Sequence, residues 1–276
     1  MGVVSSLFPV FLSGLKSVLG SRLKIKASNL NEVKKMDYQN VFERYEYKYF
    51  LTPSQKRKLL EETGGRLELD QYGRTTIRNI YYDTDSFRLI RDSLEHPVYK
   101  EKLRLRSYQR ADSSDPVFVE IKKKFEDVVY KRRVAIPKTS AEKWIDCGCR
   151  MPFQNQITSE IDYFLNFYEG IEAKAFISYE REAYSDRTNP EFRVTFDENI
   201  LARNSELDLG SDIWGHSLLP AGTTLMEVKI PGAMPVWMAR YLSENNISKK
   251  TYSKYGTYYK EYLMTEQYAE RNVSYA

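Results

Sequence analysis

The stretch YKEKLRLRSY, residues 99 to 108, decides how the rest of the sequence is interpreted. Its basic residues occupy every second position: Lys100, Lys102, Arg104 and Arg106. The positions between them include Leu103 and Leu105. Because alternate residues of a β-strand point to opposite faces of the sheet, the stretch predicts a strand with one cationic and one largely apolar face. Neighbouring cations repel one another, so this cationic face needs an anionic partner.

The same alternation recurs along the chain and predicts eight strands. They lie at about 41–51, 74–84, three runs within 97–137, 173–185, 191–200 and 223–232. Charged residues that share the predicted strand faces are Glu46, Lys48, Arg78, Glu120, Lys122, Lys131, Arg133, Arg181, Arg193, Glu227 and Lys229. Helices are predicted at 52–63, 85–96, 139–148, 154–168, 235–243 and 252–264. Thr52 with Pro53 starts the first helix, and Asp85 or Ser86 starts the second.

Eight strands are about the number that closes a barrel able to hold one small ligand. The predicted fold class is therefore mainly β (α+β): an eight-stranded antiparallel closed barrel or tunnel with helices packed outside. Helices on the outside would cover the apolar strand faces and leave the charged faces pointing inward. For any one strand, a face exposed to water explains the same pattern. The joint pattern favours a charged interior because Arg and Lys dominate these faces.

Electrostatics restrict what such an interior contains. Two like charges about 4 Å apart repel by roughly 4 kcal/mol at an effective dielectric near 20. Carboxylates such as Glu46, Glu120 and Glu227 are too few to neutralise the cations. A phosphate chain would neutralise them, since Arg binds phosphate through paired hydrogen bonds and Lys supplies a point charge. The carboxylates would then be available for Mg²⁺ or Mn²⁺.

Composition excludes several other kinds of site. The 276 residues carry 42 Lys plus Arg against 38 Asp plus Glu, so bulk charge does not predict nucleic-acid binding. Two His far apart, His96 and His216, exclude a multi-histidine metal centre. Cys147 and Cys149 predict reduced thiols in a cytoplasmic protein rather than a disulfide framework. Neither GxGxxG nor GxxxxGK is present, so a Rossmann or P-loop nucleotide site is not supported.

The predicted domain organisation has three parts. Residues 1–40 form a mostly apolar segment and linker, 41–265 the tunnel domain, and 266–276 a tail. No apolar run reaches the length of a membrane span, although residues 1–20 suit peripheral contact with a membrane or docking on the domain.

Eight short motifs give the sequence a family resemblance. They are RYEYKY, KLRLRSY, FVEIKKK, YKRRV, YERE, FRVTFD, MEVKI and YSKYG, in that order within about residues 40–262. This order resembles the VTC polyphosphate-polymerase domain of the triphosphate tunnel metalloenzymes, in a stand-alone form as in bacteria. The resemblance implies an eight-stranded tunnel that binds ATP, triphosphate or polyphosphate with Mn²⁺ or Mg²⁺. It also implies transfer of the γ-phosphoryl group of ATP onto a polyphosphate chain.

The resemblance also implies roles for individual residues. The predicted catalytic residues are Lys48, Arg104, Arg106, Lys122, Arg181 and Arg193. The predicted phosphate-binding residues are Arg78, Lys131, Arg133, Lys229, Ser253 and Lys254. Of these, Arg78 and Lys229 are predicted from strand alternation. Glu227 and Glu120 are the predicted metal ligands. The sequence departs from the wider superfamily at Arg44, where a first Glu is expected, and at Thr251, where a basic residue is expected. Arg44 suits the polymerase branch.

Two other functions remain open from the sequence. The same tunnel could hydrolyse inorganic or nucleoside triphosphates with water as nucleophile. It could also be a noncatalytic module that binds polyphosphate or nucleotide. Nucleic-acid binding is not expected, because the basic residues lack an exposed aromatic platform. Ser253 could cap the last helix instead of binding phosphate.

Overall fold

The fold is described from a computed structural model. It describes residues 41–42, 45–95, 97–126, 128–149, 151 and 153–265. The predictions for residues 1–40 and 266–276, and for Arg44, lie outside these ranges. Within the described ranges, no helix has the length and apolar character that crossing a membrane requires.

Eight long strands in the described chain match the eight predicted ones. These are β2 (Tyr45–Leu51), β4 (Thr75–Asp83), β5 (Tyr99–Ser107), β6 (Pro116–Phe125), β7 (Val128–Pro137), β8 (Glu172–Asp186), β9 (Arg193–Arg203) and β11 (Thr224–Ile230). Three short strands were not predicted: β3 (Leu67–Leu69), β10 (His216–Ser217) and β12 (Lys249–Lys250); β1 (Val41–Phe42) lies within the predicted first strand, 41–51, but forms a separate strand that pairs with β7. Runs of two or three residues are too short to show alternation, which explains why the pattern missed them.

The strands form one antiparallel sheet with the order β1-β7-β6-β5-β4-β8-β9-β11-β2-β12. Among the described residues, hydrogen bonds do not join the two ends of this order into a ring, so the predicted closed barrel is not confirmed. The sheet is nevertheless strongly curled. Lys122 on β6 and Glu46 on β2 lie 3.4 Å apart, whereas six strand spacings in a flat sheet would separate their strands by about 29 Å. The result is a tunnel-like β fold.

Six α-helices lie in the described chain, near their predicted positions. They are α1 (Pro53–Glu62), α2 (Arg88–Leu94), α3 (Lys138–Cys147), α4 (Gln156–Phe167), α5 (Val236–Glu244) and α6 (Lys254–Tyr258), the last continuing into a π-helical turn, Tyr259–Leu263. Helix α1 starts as predicted, with a capping box between Thr52 and Gln55. Neither Asp85 nor Ser86 caps α2, so that prediction is wrong. Asp83 instead accepts from the N–H groups of Leu89 and Ile90.

Two apolar clusters cover the outer face of the sheet. In the first, Leu103 and Leu105 of β5 belong to a buried cluster with Trp144 of α3 and Phe164 of α4. The second joins β2, β9 and β11 to α1 and α5 and includes Leu59 and Met238. These clusters confirm the predicted outward direction of the apolar strand faces.

A third apolar cluster lies on the inner face, where only charge was expected. The hydroxyl of Tyr81 accepts from Arg104, which places Tyr81 on the inner side of β4. The Tyr81 ring stacks on Tyr255 of α6 with centroids 4.9 Å apart. Tyr258 and Leu263 belong to the same cluster. The last helix therefore packs inside the curled sheet, and the charged groups occupy the rest of its inner face.

Candidate functional site

Arg104 and Arg106 of β5 lie on the inner face, each held by neighbouring strands. Arg104 donates to Glu120 of β6 through Nε at 2.8 Å. Arg106 donates to Asn79 Oδ1 of β4 at 2.9 Å and to the hydroxyl of Tyr179 at 3.1 Å. Both guanidinium groups are therefore fixed by partners on more than one strand. Such fixed groups can bind phosphate oxygens in a defined geometry.

Glu120 of β6 is the centre of one wall of the interior, formed by β5, β6 and β7. Its side chain is 0% exposed, and Lys131 Nζ of β7 lies 2.6 Å from its Oε1. Burial alone would raise the pKa of the Glu120 carboxyl, but Arg104, Arg106 and Lys131 lower it below its usual range. Burial lowers the pKa of Lys131 to about 7, against the opposing effect of Glu120. Glu120 is thus an ionised carboxylate enclosed by three cations.

On the opposite wall, formed by β8, β9 and β11, Asp197 is likewise a buried carboxylate surrounded by cations. It lies on β9 with a 0% exposed side chain and accepts from Nε and Nη2 of Arg181, each at 2.6 Å. Lys254, the first residue of α6, donates to Asp197 Oδ2 at 2.6 Å. Burial alone would raise the pKa of Asp197, but Arg181 and Lys254 lower it. No role for Asp197 was predicted from the sequence.

Strands β2 and β11 carry an alternating pattern of opposite charges. Glu227 lies directly across from Lys48, and Lys229 lies across from Glu46. Glu227 also contacts Lys254 Nζ at 3.2 Å and Arg181 Nη2 at 3.4 Å. Burial alone would raise the pKa of Glu227, but the surrounding cations hold it well below its usual range. Burial and the Glu227 carboxylate oppose the lowering of the Glu46 pKa by Lys122 and Lys48, but the pKa of Glu46 still lies below its usual range.

Lys102 and Lys122 lie between the two walls. Lys102 Nζ donates to Ser253 Oγ at 3.1 Å, and Lys122 Nζ lies 3.4 Å from Glu46 Oε2. Loss of hydration lowers the pKa of Lys102 to about 7, and Lys122 adds to this effect. Ser253 caps α6 by accepting from the N–H of Gly256, so it serves the cap and Lys102 together.

Three predicted site residues lie apart from these contacts. Arg78 is buried and donates to the backbone carbonyls of Leu209 and Ser211, on the opposite face of β4 from Tyr81. Burial lowers its pKa, and Arg110 adds to the effect. Arg193 is exposed at the first position of β9. Arg133 pairs with Glu120 in the strand register, but its guanidinium lies over the ring of Phe118, 4.9 Å from its centroid.

Asp197 and Tyr179 were given no role from the sequence, and Glu46 was predicted only as an inward carboxylate, not as a named metal ligand. Tyr179 lies beneath Arg181 and Lys254, whose charged groups are 5.0 and 4.5 Å from its ring centroid. The available signal was alternation: Asp197 lies four positions after Arg193, Glu46 two before Lys48, and Tyr179 two before Arg181. Alternation shows that residues share a face but not which of them contact one another.

The inner face has more cations than carboxylates. Four carboxylates take part in the contacts described above: Glu46, Glu120, Asp197 and Glu227. Nine cations face them: Lys48, Lys102, Arg104, Arg106, Lys122, Lys131, Arg181, Lys229 and Lys254. The excess of positive charge inside a curled sheet favours a polyanionic ligand.

Not every carboxylate suits a divalent metal ion. Mg²⁺ in phosphate-transferring sites takes one or two carboxylates together with phosphate oxygens and water. Glu46 and Glu227, neighbours on adjacent strands, fit this donor set. Glu120 fits it poorly because its side chain is 0% exposed and its two oxygens lie 2.7 Å from Arg104 Nη2 and 2.6 Å from Lys131 Nζ, closer than any cation in the described ranges lies to Glu227. The described part of the chain holds no group of three His, Cys, Asp or Glu side chains that could bind a metal ion without phosphate oxygens as further ligands.

The fold and site define a tunnel-like antiparallel β protein with a polycationic inner face. The family model of the VTC domain matches residues 43–262, and the chain belongs to this family. The predicted resemblance is thereby confirmed.

Solved structures are similar to this chain at low identity. A candidate adenylate cyclase from Vibrio parahaemolyticus is 15% identical, with 79% of this chain and 98% of that chain covered and a TM-score of 0.44. One from Bacillus halodurans is 14% identical (77% and 96% covered, TM-score 0.48). A candidate adenylyl cyclase from Hippeastrum, described as having a dominant triphosphatase activity, is 14% identical (79% and 95% covered, TM-score 0.49). No curated protein matches the chain. These similarities are too distant to transfer an activity.

Proposed function

We propose that this protein is a metal-dependent polyphosphate polymerase, which transfers the γ-phosphoryl group of ATP onto a polyphosphate chain. One observation carries the proposal: within the described residues, nine basic side chains from β2, β5, β6, β7, β8, β11 and α6 converge, and the ion pairs described above give them four carboxylates. Membership of the VTC domain family supports it.

The arginines would bind the reacting phosphoryl groups. Arg104 and Arg106 on one wall, and Arg181 on the other, are each held by a buried carboxylate or by neighbouring polar side chains. Fixed guanidinium groups stabilise charge on phosphate oxygens without reorganising during the reaction. The lysines, which bind phosphate as point charges with less directional demand, would hold the remaining phosphates of donor and acceptor.

The chemistry needs no catalytic His or Ser. The terminal phosphate of a polyphosphate chain is already an anionic nucleophile, so positioning and charge neutralisation supply most of the catalysis. The nucleophilic oxygen attacks the γ-phosphorus of ATP, the bond from that phosphorus to the bridging oxygen breaks, and ADP leaves. Glu227 with Glu46 would hold a Mg²⁺ or Mn²⁺ ion, which would supply neutralisation of phosphate charge when bound.

Product sizing tests the proposal. Purified protein is incubated with ATP and Mn²⁺, Mg²⁺ or EDTA, and the products are separated on a gel while released orthophosphate is measured. We expect metal-dependent phosphate chains together with ADP. The variant Arg104→Ala should abolish chain formation, whereas Arg132→Ala should not. Arg132 lies on β7, two strands from β5 in the same sheet, and pairs with Glu160 of α4 on the outer face.

Two outcomes would contradict the polymerase. Release of orthophosphate alone would show a triphosphate hydrolase that uses water as nucleophile. Tight binding of tripolyphosphate without turnover of ATP, whether Mn²⁺ or Mg²⁺ is present, would show a noncatalytic binding module.

A further inference from the structure

Asp197 is a carboxylate on the inner face whose two oxygens are both occupied by cations. Its side chain is 0% exposed, and both of its oxygens accept short contacts. Oδ1 takes Nε of Arg181 at 2.6 Å, while Oδ2 takes Nη2 of Arg181 and Nζ of Lys254, each also at 2.6 Å. A phosphate group therefore has no access to Asp197, and its negative charge would repel one. Asp197 acts on other residues.

The two cations that Asp197 holds belong to separate parts of the fold. Arg181 lies on β8, and Lys254 lies at the start of α6, the helix packed inside the sheet. Both cations also contact Glu227 more loosely, at 3.4 and 3.2 Å. Asp197 thus fixes the spacing between the sheet and the last helix where three charged groups meet.

We propose that Asp197 is a positioning residue that directs Arg181 and Lys254 toward the transferred phosphoryl group and keeps them from closing on Glu227. This inference rests on the proposed function for the reaction itself. The fork formed by Nε and Nη2 of Arg181 is taken up by Asp197, which fixes the plane of the guanidinium and the direction of Nη1. Without Asp197, both cations have Glu227 as their nearest remaining carboxylate.

The catalytic consequence follows from this competition. Arg181 and Lys254 would keep their charge in an Asp197→Asn variant, so attraction for a polyanion would persist. Their orientation would be lost, and a displacement of about 1 Å in a positioning group costs on the order of 100-fold in rate. Glu227, one of the two carboxylates suited to the metal, would be covered by two cations. Binding and turnover should therefore respond differently.

Steady-state kinetics on two substitutions test the proposal. Asp197→Asn should lower kcat by roughly 10- to 100-fold without raising KM for ATP. Asp197→Glu, which keeps the carboxylate at a longer reach, should recover part of kcat. The matched control is Asp186→Asn. Asp186 is also buried and pairs with Arg66 at 3.0 Å, but it lies at the far end of β8 outside the charged site. It should lower thermal stability and leave both kinetic constants near wild type.

A double-mutant cycle separates positioning from general stability. Affinity for tripolyphosphate is measured by calorimetry in EDTA for Asp197→Asn, Lys254→Met and the double variant. Because Asp197→Asn removes a negative charge beside two cations, it should tighten tripolyphosphate binding, and if Asp197 acts through Lys254 this gain should shrink at least threefold in the Lys254→Met background. Additive effects would overturn the proposal, as would an Asp197→Asn variant with wild-type kcat or one whose only change is a raised KM.

Tripolyphosphate binding also distinguishes failure of the polymerase proposal from failure of the proposal for Asp197. If wild-type protein binds tripolyphosphate but does not turn over ATP, the polymerase proposal fails. The coupling between Asp197 and Lys254 in tripolyphosphate binding then decides by itself whether Asp197 positions Lys254 for phosphate.

Discussion

Lys122 Nζ of β6 lies 3.4 Å from Glu46 Oε2 of β2, although these strands are six positions apart in the sheet order. This ion pair crosses the interior rather than following the sheet. It joins the wall that carries Arg104 and Glu120 to the wall that carries Glu227. A polyanion that enters the interior must therefore compete with Glu46 for Lys122.

Replacing Glu46 should strengthen metal-free anion binding. In Glu46→Gln, Lys122 and Lys48 lose a carboxylate partner and become available to phosphate. We expect tripolyphosphate affinity in EDTA to rise by about fivefold, which corresponds to about 1 kcal/mol and is the upper end for a partly exposed ion pair. Calorimetry with and without Mn²⁺ measures this. The gain from Mn²⁺ should shrink in the variant, and weaker binding in EDTA would contradict the prediction.

Replacing Arg106 should impair binding more than stability. Arg106 is held by Asn79 and Tyr179 and has its charge on the inner face. Arg106→Ala should weaken tripolyphosphate binding by roughly 10- to 100-fold, as the loss of charged hydrogen bonds predicts. Arg132→Ala, on the outer face beside Glu160, is the control and should leave affinity unchanged. Calorimetry and urea unfolding are compared. A loss of stability with unchanged affinity would restore the view that β5 simply faces water.

Anion binding should weaken as pH rises through about 7. The pKa of Lys102 is lowered to about 7 by loss of hydration and by Lys122, so this lysine loses its charge on going from pH 6 to pH 8. Part of the affinity also follows the ionisation of tripolyphosphate itself, so the informative quantity is the difference between wild type and Lys102→Met. That difference should be largest near pH 6 and small near pH 9. A constant difference over this range would contradict a lowered pKa.

The same lowered pKa has a defined effect on stability. Between pH 7 and the usual lysine pKa, the unfolded chain binds the Lys102 proton and the folded chain does not. This group therefore makes the free energy of unfolding of the ligand-free protein rise with pH from about 7 to 9. Urea unfolding of wild type and Lys102→Met should show a steeper rise for wild type. Parallel curves would contradict the expectation.

Removing the charge of Glu120 should destabilise the fold. Glu120 is fully enclosed with Arg104, Arg106 and Lys131, and Glu120→Gln would leave buried cations without their anion. Breaking such a buried pair costs about 3 to 5 kcal/mol. Glu160→Gln on α4 removes a more exposed partner of Arg132 and should cost about 1 kcal/mol or less. Urea unfolding measures both, and equal small losses would show that Glu120 is dispensable.

The eight long strands and most helix positions were predictable because their signals are local. Alternation in KLRLRS fixes which residues of β5 share a face, and Thr52 with Gln55 fixes the start of α1. The start of α2 was missed because its cap comes from Asp83, which lies in the preceding strand. The side chain that caps α2 therefore lies outside the segment whose pattern predicted the helix.

Arg78 shows why a charged residue in a strand is an incomplete signal. The segment TTIRNIYYD has large apolar residues on both faces, so the sequence does not reveal which face is inner. In the structure, Asn79 and Tyr81 bind the inner arginines, and Arg78 binds the carbonyls of Leu209 and Ser211 on the other face. The assignment depends on the direction in which the whole sheet curls.

By itself, the sequence determined the eight long strands, the concentration of basic residues on one face of most of them, and the family to which the chain belongs. Only the tertiary structure decided which charges meet. Glu120 and Asp197 each became the centre of a cation group, Glu46 came to face Lys122, and α6 entered the interior beside Tyr81. The physical reason is range. Strand alternation is set by neighbouring residues, whereas ion pairing depends on where distant strands and the last helix are brought by the curl of the sheet.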